Sequence, residues 1–275
     1  MLASLAFKNI ISAGLRTWLN VFVLSVSFVV IIWTQGFYKG IFDYSKQLTE
    51  DYDIAAGQYW NQSYDPYNML NINDVYADIP NSIVNLVEEG EIEPILIRQG
   101  SIYPDGRLQS VLMKGIDPKQ RILKLPTHLL EQSNHPLPVL IGKRMAKQSK
   151  LAKGDVVMIR WRDAKGGFDA AEAKVVDIMQ MDVPSIDSGQ IWLAYDTLTK
   201  MMLLPNKATI LTLGDDYSLT LNNPQWVFKS QDELLIDLKA WQDQENGSAS
   251  IGTLSLSCLT LFKKTLKISL SVKFN

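Results

Sequence analysis

Histidine and cysteine are nearly absent: the 275 residues hold two histidines, His128 and His135, and one cysteine, Cys258. A lone thiol forms no internal disulfide and no Cys-x-x-Cys redox or metal motif, so a disulfide scaffold is excluded while an outer compartment stays compatible. Unperturbed, imidazoles alone among side chains titrate between pH 5 and 8. Both lie in the Pro-rich stretch from Leu125-Pro-Thr-His128 to His135-Pro-Leu-Pro138 and read as surface-loop residues. There is no Gly-x-Ser-x-Gly elbow and no His-Glu-x-x-His pair whose imidazoles would face one metal. The phosphate-cradling Gly-x-x-x-x-Gly-Lys-Ser/Thr loop is missing too, since Gly142-Lys143 and Lys165-Gly166-Gly167 do not match it. No catalytic, cofactor-binding or metal-ligating residue is assigned. No enzyme activity is expected, and nucleotide hydrolysis in any ATP-driven process would fall to another chain.

No single charge sign dominates either. With 27 Lys and Arg against 29 Asp and Glu, the formal net charge is −2. The balance is uneven: Lys8 and Arg16 at the start and Lys263, Lys264, Lys267 and Lys273 at the end face no acidic neighbours, which leaves the middle acidic. An acidic middle argues against nucleic acid as a partner.

What the chain does have is a long apolar run. From Thr17 to Tyr38 there are roughly 22 residues without a charge, and about 20 such residues in a helix span the ~30 Å hydrocarbon core of a bilayer. A lone segment in lipid must satisfy its backbone internally, so a transmembrane helix over residues 17–41 is expected. Trp18 at one end and Trp33, Phe37 and Tyr38 at the other suit the two interfaces. A cleaved signal peptide would want a shorter apolar region and an Ala-x-Ala site, and Thr34-Gln35-Gly36-Phe37-Tyr38-Lys39 offers none. A buried core helix rarely stays apolar all round for so long, because a soluble helix normally shows a polar stripe. Lys8 and Arg16 before the run, with Asp43, Glu50, Asp51 and Asp53 after it, place the amino terminus inside and the main domain outside.

Residues 1–16 repeat Ser4, Lys8, Ser12 and Arg16 every four positions, with Leu2, Leu5, Ala6, Ile10 and Ala13 on another side. The spacing predicts a cytoplasmic amphipathic helix lying on membrane lipid, with a disordered leader as the alternative. Gly40 to Asp78 turns polar and aromatic, which suits a solvated connection packing rings on a domain edge, or else a ligand platform. Beyond it the pattern predicts a helix over Ile79–Glu89 ended by Gly90 and a hairpin of Pro94–Gln99 and Leu108–Ile116 around Pro104-Asp105-Gly106. A helical stretch from Asp117 to about Leu130, a strand over Leu137–Ile141 and a basic helix from Gly142 follow. Next come strands over Asp155–Arg162, Phe168–Met181 and Gln190–Ala194, a helix over Asp196–Leu203 and a strand over Ala208–Leu213. A last helix opens on the capping box Ser230-Gln-Asp-Glu233 and runs to about Gln244. Helices and strands interleave without a βαβ period. The fold class is therefore α+β with mixed or antiparallel sheets: one amino-terminal transmembrane helix and a two-lobed extracytoplasmic domain over 42–245, dividing near residue 135.

Several segments together resemble the MacB/FtsX-type ABC transporter permeases, which include the lipoprotein-releasing permeases. The opening Leu5-Ala6-Phe7-Lys8-Asn9-Ile10 and Gly14-Leu15-Arg16-Thr17 is similar to that family's entry into its first span. In order there follow Lys114-Gly115-Ile116-Asp117-Pro118, then Val139-Leu140-Ile141-Gly142-Lys143-Arg144-Met145-Ala146, Leu151-Ala152-Lys153-Gly154-Asp155-Val156-Val157 and Ala173-Lys174-Val175-Val176-Asp177-Ile178. These resemble the family's strand, Gly-Lys, helix, Gly-Asp, strand and return strand. The resemblance implies a MacB-like periplasmic core domain in a bacterial inner-membrane permease, coupled to a separate cytoplasmic ABC ATPase. It further implies a second permease copy or related subunit, a lipoprotein or exported substrate, or an envelope protein partner, and no cofactor. Family members continue with three more spans, whereas Ile251–Phe262 is a short apolar run cut by Lys263-Lys264, so residues 246–275 read as a truncated or altered tail, or as an amphipathic anchor. A single-span tether carrying a binding or adaptor domain is the alternative function, and an anchored hydrolase using unplaced carboxylates a third.

The topology is testable: protease added to intact spheroplasts should digest the domain after residue 42 and leave an amino-terminal tag protected. Digestion of the tag with protection of the domain would reverse the orientation.

Overall fold

The computed structural model of the protein describes residues 15–66, 68, 71–180, 187–214, 221, 223–236 and 238–240. The surface helix expected over 1–16 lies almost wholly outside them, and the tail over 246–275 wholly outside. Two compact units make up the chain, and the larger is Ser45–Leu235.

Helix α1, Leu15–Thr49, is continuous for 35 residues, a length of about 52 Å at 1.5 Å per residue. Val21–Ile54 is the one helical stretch among the described residues long and apolar enough to cross a membrane. Trp18, Phe22, Val29 and Trp33 are all exposed, a display that an aqueous monomer rarely tolerates. Its polar side chains are answered locally: Ser27 Oγ donates to the Val23 carbonyl at 2.8 Å and Thr34 Oγ1 to the Val30 carbonyl at 2.7 Å. Trp33 stacks on Phe37 at 5.5 Å, and Phe37 meets Tyr38 edge-on at 6.1 Å, so the aromatic end is one cluster.

The solvated connection expected from Gly40 is instead more helix. α1 continues to Thr49, helped by a Lys46–Glu50 ion pair of 3.6 Å and by Thr49 Oγ1 bonding the Ser45 carbonyl at 2.9 Å. A π-helical turn, Glu50–Ile54, and Ala55 at φ 47° end it. The aromatics that follow are packing residues: Tyr59 is buried, and Trp60 and Tyr64 meet edge-to-face at 4.9 Å against the core.

Among the described residues eleven strands follow: β1 (Gly57–Asn61), β2 (Ala77–Asp78), β3 (Ile92–Ile102), β4 (Gln109–Ile116), β5 (Pro138–Gly142), β6 (Val156–Arg162), β7 (Phe168–Met179), β8 (Gln190–Ala194), β9 (Lys207–Ala208), β10 (Ile210–Leu213) and β11 (Trp226–Ser230). The helices between them are α2 (Val84–Glu89), α3 (His128–Glu131), α4 (Lys143–Ser149), α5 (Tyr195–Met202) and α6 (Gln231–Leu234). The large sheet runs β11-β1-β10-β3-β4-β8-β5-β7-β6, and β6 pairs back onto β3. The strands β3, β4, β8, β5, β7 and β6 thereby close into a ring, extended on one side by β10, β1 and β11. Pairs β4–β8 and β5–β7 are parallel and the other pairs of this sheet antiparallel, the mixed α+β arrangement expected.

Alternate residues of all six ring strands form one core, among them Leu96, Met113, Ile141, Ile159, Val175 and Ile191, joined by Met145 from α4 and Leu198 from α5. The opposite face of β3, β4, β5 and β8 carries a second core with Ile97, Ile116, Leu140 and Trp192. Strands covered on both sides read as unbroken apolar runs, such as Val139-Leu140-Ile141. β6 is covered on one side and alternates: Val157, Ile159 and Trp161 are buried between exposed neighbours. A third core lies under β1, β10 and β11.

Three expectations need correction. Residues on both sides of 135 build the ring and its extension alike, so the two substructures do not divide there. The stretch from Asp117 is a looped segment, helical only over His128–Glu131, because side chains compete for the backbone: Asp117 Oδ1 accepts from the Lys119 amide at 2.8 Å, and Gln120 clamps Leu123 through bonds of 2.8 and 2.9 Å. The strand over Ala208–Leu213 is broken at Thr209, whose hydroxyl accepts from the Ile97 amide and donates to the Val75 carbonyl, each at 3.1 Å. The capping box at Ser230 and Glu233 is present; the helix expected beyond residue 240 lies outside the described residues.

Gly154 opens the turn into β6 at φ +95°, a conformation that side chains resist. Gly154→Val should lower unfolding stability by about 1–3 kcal/mol, read as a shift in the denaturant midpoint; an unchanged midpoint would contradict this turn.

Candidate functional site

The position of one cleft follows from topology. Because β4 and β8 run parallel, their carboxyl ends open side by side, Ile116 beside Ala194. β3 runs antiparallel to β4, so its start lies at the same place. Around these ends lies a cleft of about 1100 Å³. Val84 and Val87 of α2 and Leu130 of α3 give it apolar walls, and Pro80, Pro94, Pro118, Pro136 and Pro138 stiffen them.

Glu93 is the buried acid of this cleft, 4 % exposed. Its Oε1 accepts from the Asp117 amide at 2.7 Å. Burial pushes its carboxyl up to about 8, with the charge of Asp117 adding to the rise and the amide bond opposing it. Beside it Tyr195, the first residue of α5, donates to the Lys207 carbonyl at 2.8 Å. Burial raises the Tyr195 phenol too, and the charges of Asp196 and Glu93 act in the same direction.

The other carboxylates on the wall differ in their pairing. Asp78 meets Lys207 at 2.6 Å and Glu131 meets Lys119 at 3.4 Å. Glu88, Glu93, Asp117 and Asp196 make no ion pair with a described residue. The histidines are separated: His128 is exposed on α3, while His135 lines the cleft with Nδ1 accepting from the Leu137 amide at 3.2 Å. Among the described residues no group of three or more His, Cys, Asp or Glu side chains is placed to hold a metal ion.

Two cations are buried away from the cleft. Lys114 Nζ lies 3.4 Å from Asp53 Oδ1 and 4.8 Å over the Trp192 ring. Arg98, 1 % exposed, stands 5.1 Å over Tyr76, and its Nε and Nη1 find no hydrogen-bond partner among the described residues. In the sequence neither Glu93 nor Arg98 belongs to any motif, and Lys114 enters only as the first residue of a resembling segment. The signal was there, since each is a charged residue within a largely apolar stretch of its strand.

The segments that carry the family resemblance are turns and packing points. Gly115 faces α5, where a Cβ would lie 3.0 Å from Leu198. At Gly142 a Cβ would meet the Asp187 carbonyl at 2.5 Å, and the Asp187 carboxylate accepts from the Arg144 amide at 3.0 Å at the start of α4.

No protein-family model matches the sequence, and no curated protein matches it. Among solved structures the chain is similar to the periplasmic region of MacB from Actinobacillus actinomycetemcomitans, at 13% identity and a TM-score of 0.42 over 66% of this chain and 92% of that one. It is also similar to the extracellular domain of the noncanonic ABC-type transporter YknZ from Gram-positive bacteria, at 10% identity and a TM-score of 0.35 over 59% of this chain and 84% of that one.

Glu93 dictates a pH dependence. The folded carboxyl keeps its proton to about pH 8, whereas an unfolded one ionises near 4.5. Between those values the folded state binds more protons, so its stability falls as pH rises, by at most about 1.4 kcal/mol per unit. Urea midpoints should therefore drop from pH 5 to pH 8, and Glu93→Gln should flatten that slope; equal slopes in both proteins would refute the assignment.

Proposed function

We propose that the chain is a membrane subunit of an ABC transporter of the MacB/FtsX type, with α1 in the bacterial inner membrane and Ser45–Leu235 belonging to the outer side. The order of the resembling segments carries this reading. Lys114-Gly115-Ile116 ends β4, Gly142-Lys143 joins β5 to α4, Gly154-Asp155 precedes β6, and Ala173–Ile178 lies in the return strand β7. Four such matches in one order, behind a helix with a roughly 22-residue uncharged stretch, favour a permease over a plain tether.

In this reading the chain performs no reaction of its own. A separate cytoplasmic ATPase hydrolyses ATP, a second permease copy or related subunit completes the membrane part, and the outer domain acts on a lipoprotein, an exported substrate or an envelope partner. The domain boundaries at residues 16, 41 and 245 belong to the same proposal.

Affinity purification of the full chain from membranes in mild detergent tests it. An ATPase bearing a Gly-x-x-x-x-Gly-Lys-Ser/Thr loop should co-elute in near-stoichiometric amount. Elution with an envelope protein and no ATPase would overturn the permease reading in favour of a tether.

A further inference from the structure

The cleft at the ends of β4 and β8 has a chemistry that selects its ligand. Five prolines on its walls donate no amide proton. Lys119, the lysine of the lining, is tied to Glu131 at 3.4 Å. Acceptors are in excess: Glu88, Asp117 and Asp196 carry charge without an ion-pair partner among the described residues. Glu93 makes its hydrogen bond through Oε1, so Oε2 of a 4 % exposed side chain lining the cleft is without a described partner. The apolar walls from Val84, Val87 and Leu130 suit an aliphatic stem.

We propose that this cleft binds an alkylammonium group, seated on Glu93 with its aliphatic stem along α2 and α3. The ammonium supplies three donors to an acceptor-rich floor. Its two plausible sources are a lysine side chain in a peptide segment and a free diamine. At about 1100 Å³ the cleft exceeds a single alkyl chain and reaches the upper end of small-ligand sites, which favours the peptide. The inference stands independently of the permease reading.

Titration supplies a second signature. Glu93 is faced by Asp117 after β4 and by Tyr195 and Asp196 of α5; Glu88 of α2, Glu131 and His135 around α3, Lys119 and Asp78 complete the charged and titratable lining. Seating a cation on Glu93 expels the carboxyl proton that burial holds to about pH 8. Affinity should therefore rise about tenfold from pH 7 to pH 9.

The test is calorimetric titration of the full chain in detergent with 1,5-diaminopentane and, separately, with a lysine-containing tripeptide blocked at both ends. At least one probe should bind, and the tighter one identifies the source. Glu93→Gln, which preserves the acceptor to the Asp117 amide, should weaken binding at least tenfold. Val84→Trp should do the same by filling the cleft from an exposed wall position, without touching the buried acid. The proposal is overturned if neither probe binds at millimolar concentration, if either folded variant binds as the parent does, or if affinity stays flat from pH 7 to pH 9. None of these results bears on co-elution of an ATPase, so the two readings fail separately.

Discussion

Closure of the strand ring by β3 is the constraint on which the outer domain depends. This one strand, Ile92–Ile102, pairs with β4 along Leu96–Ile102, with β10 along Ile92–Ile95 and with β6 along Gly100–Ile102. Its two ends therefore belong to different neighbours. A ring that bonds back on itself has no edge strand of its own, so the open edge of this sheet is β11 at the end of the extension. The extension β10-β1-β11 attaches to the first half of the same strand, so ring and extension share a backbone.

That closure has an electrostatic cost. Strands covered on both faces leave a charged side chain no way out to water, and an unpaired buried charge is expensive. Lys114 answers with Asp53 and the Trp192 ring, and Arg98 with the ring of Tyr76. Glu93 answers by keeping its proton. The same sheet geometry that buries Glu93 puts it at the open ends of β4 and β8, where a ligand could reach it. A neutral acid at the floor of a cleft is a different kind of residue from a surface glutamate, and it arises from the strand order.

The glycines of the resembling segments show how one sequence pattern can serve construction. Gly115 lets α5 approach β4, Gly142 lets Asp187 settle over the start of α4, and Gly154 adopts a backbone angle that other residues avoid. Each permits a close approach or a tight turn, so their recurrence in order marks a fold and leaves the chemistry to other residues.

The amino-acid sequence alone determined what depends on local pattern: the uncharged helix with its aromatic end, most strands and their hairpins, the Gly90 helix end, and the capping box at Ser230. These follow from periodicity, backbone angles and side chains a few residues apart. Only the tertiary structure decided that β3 is shared by three partners, that residue 135 divides nothing, that the stretch after Asp117 is looped, and that Glu93 lies buried against Asp117. Those outcomes rest on contacts between distant residues, such as Thr209 with Ile97 and Val75. A charged residue in an apolar run can end at a surface or in a core, and only the assembled sheet distinguishes the two.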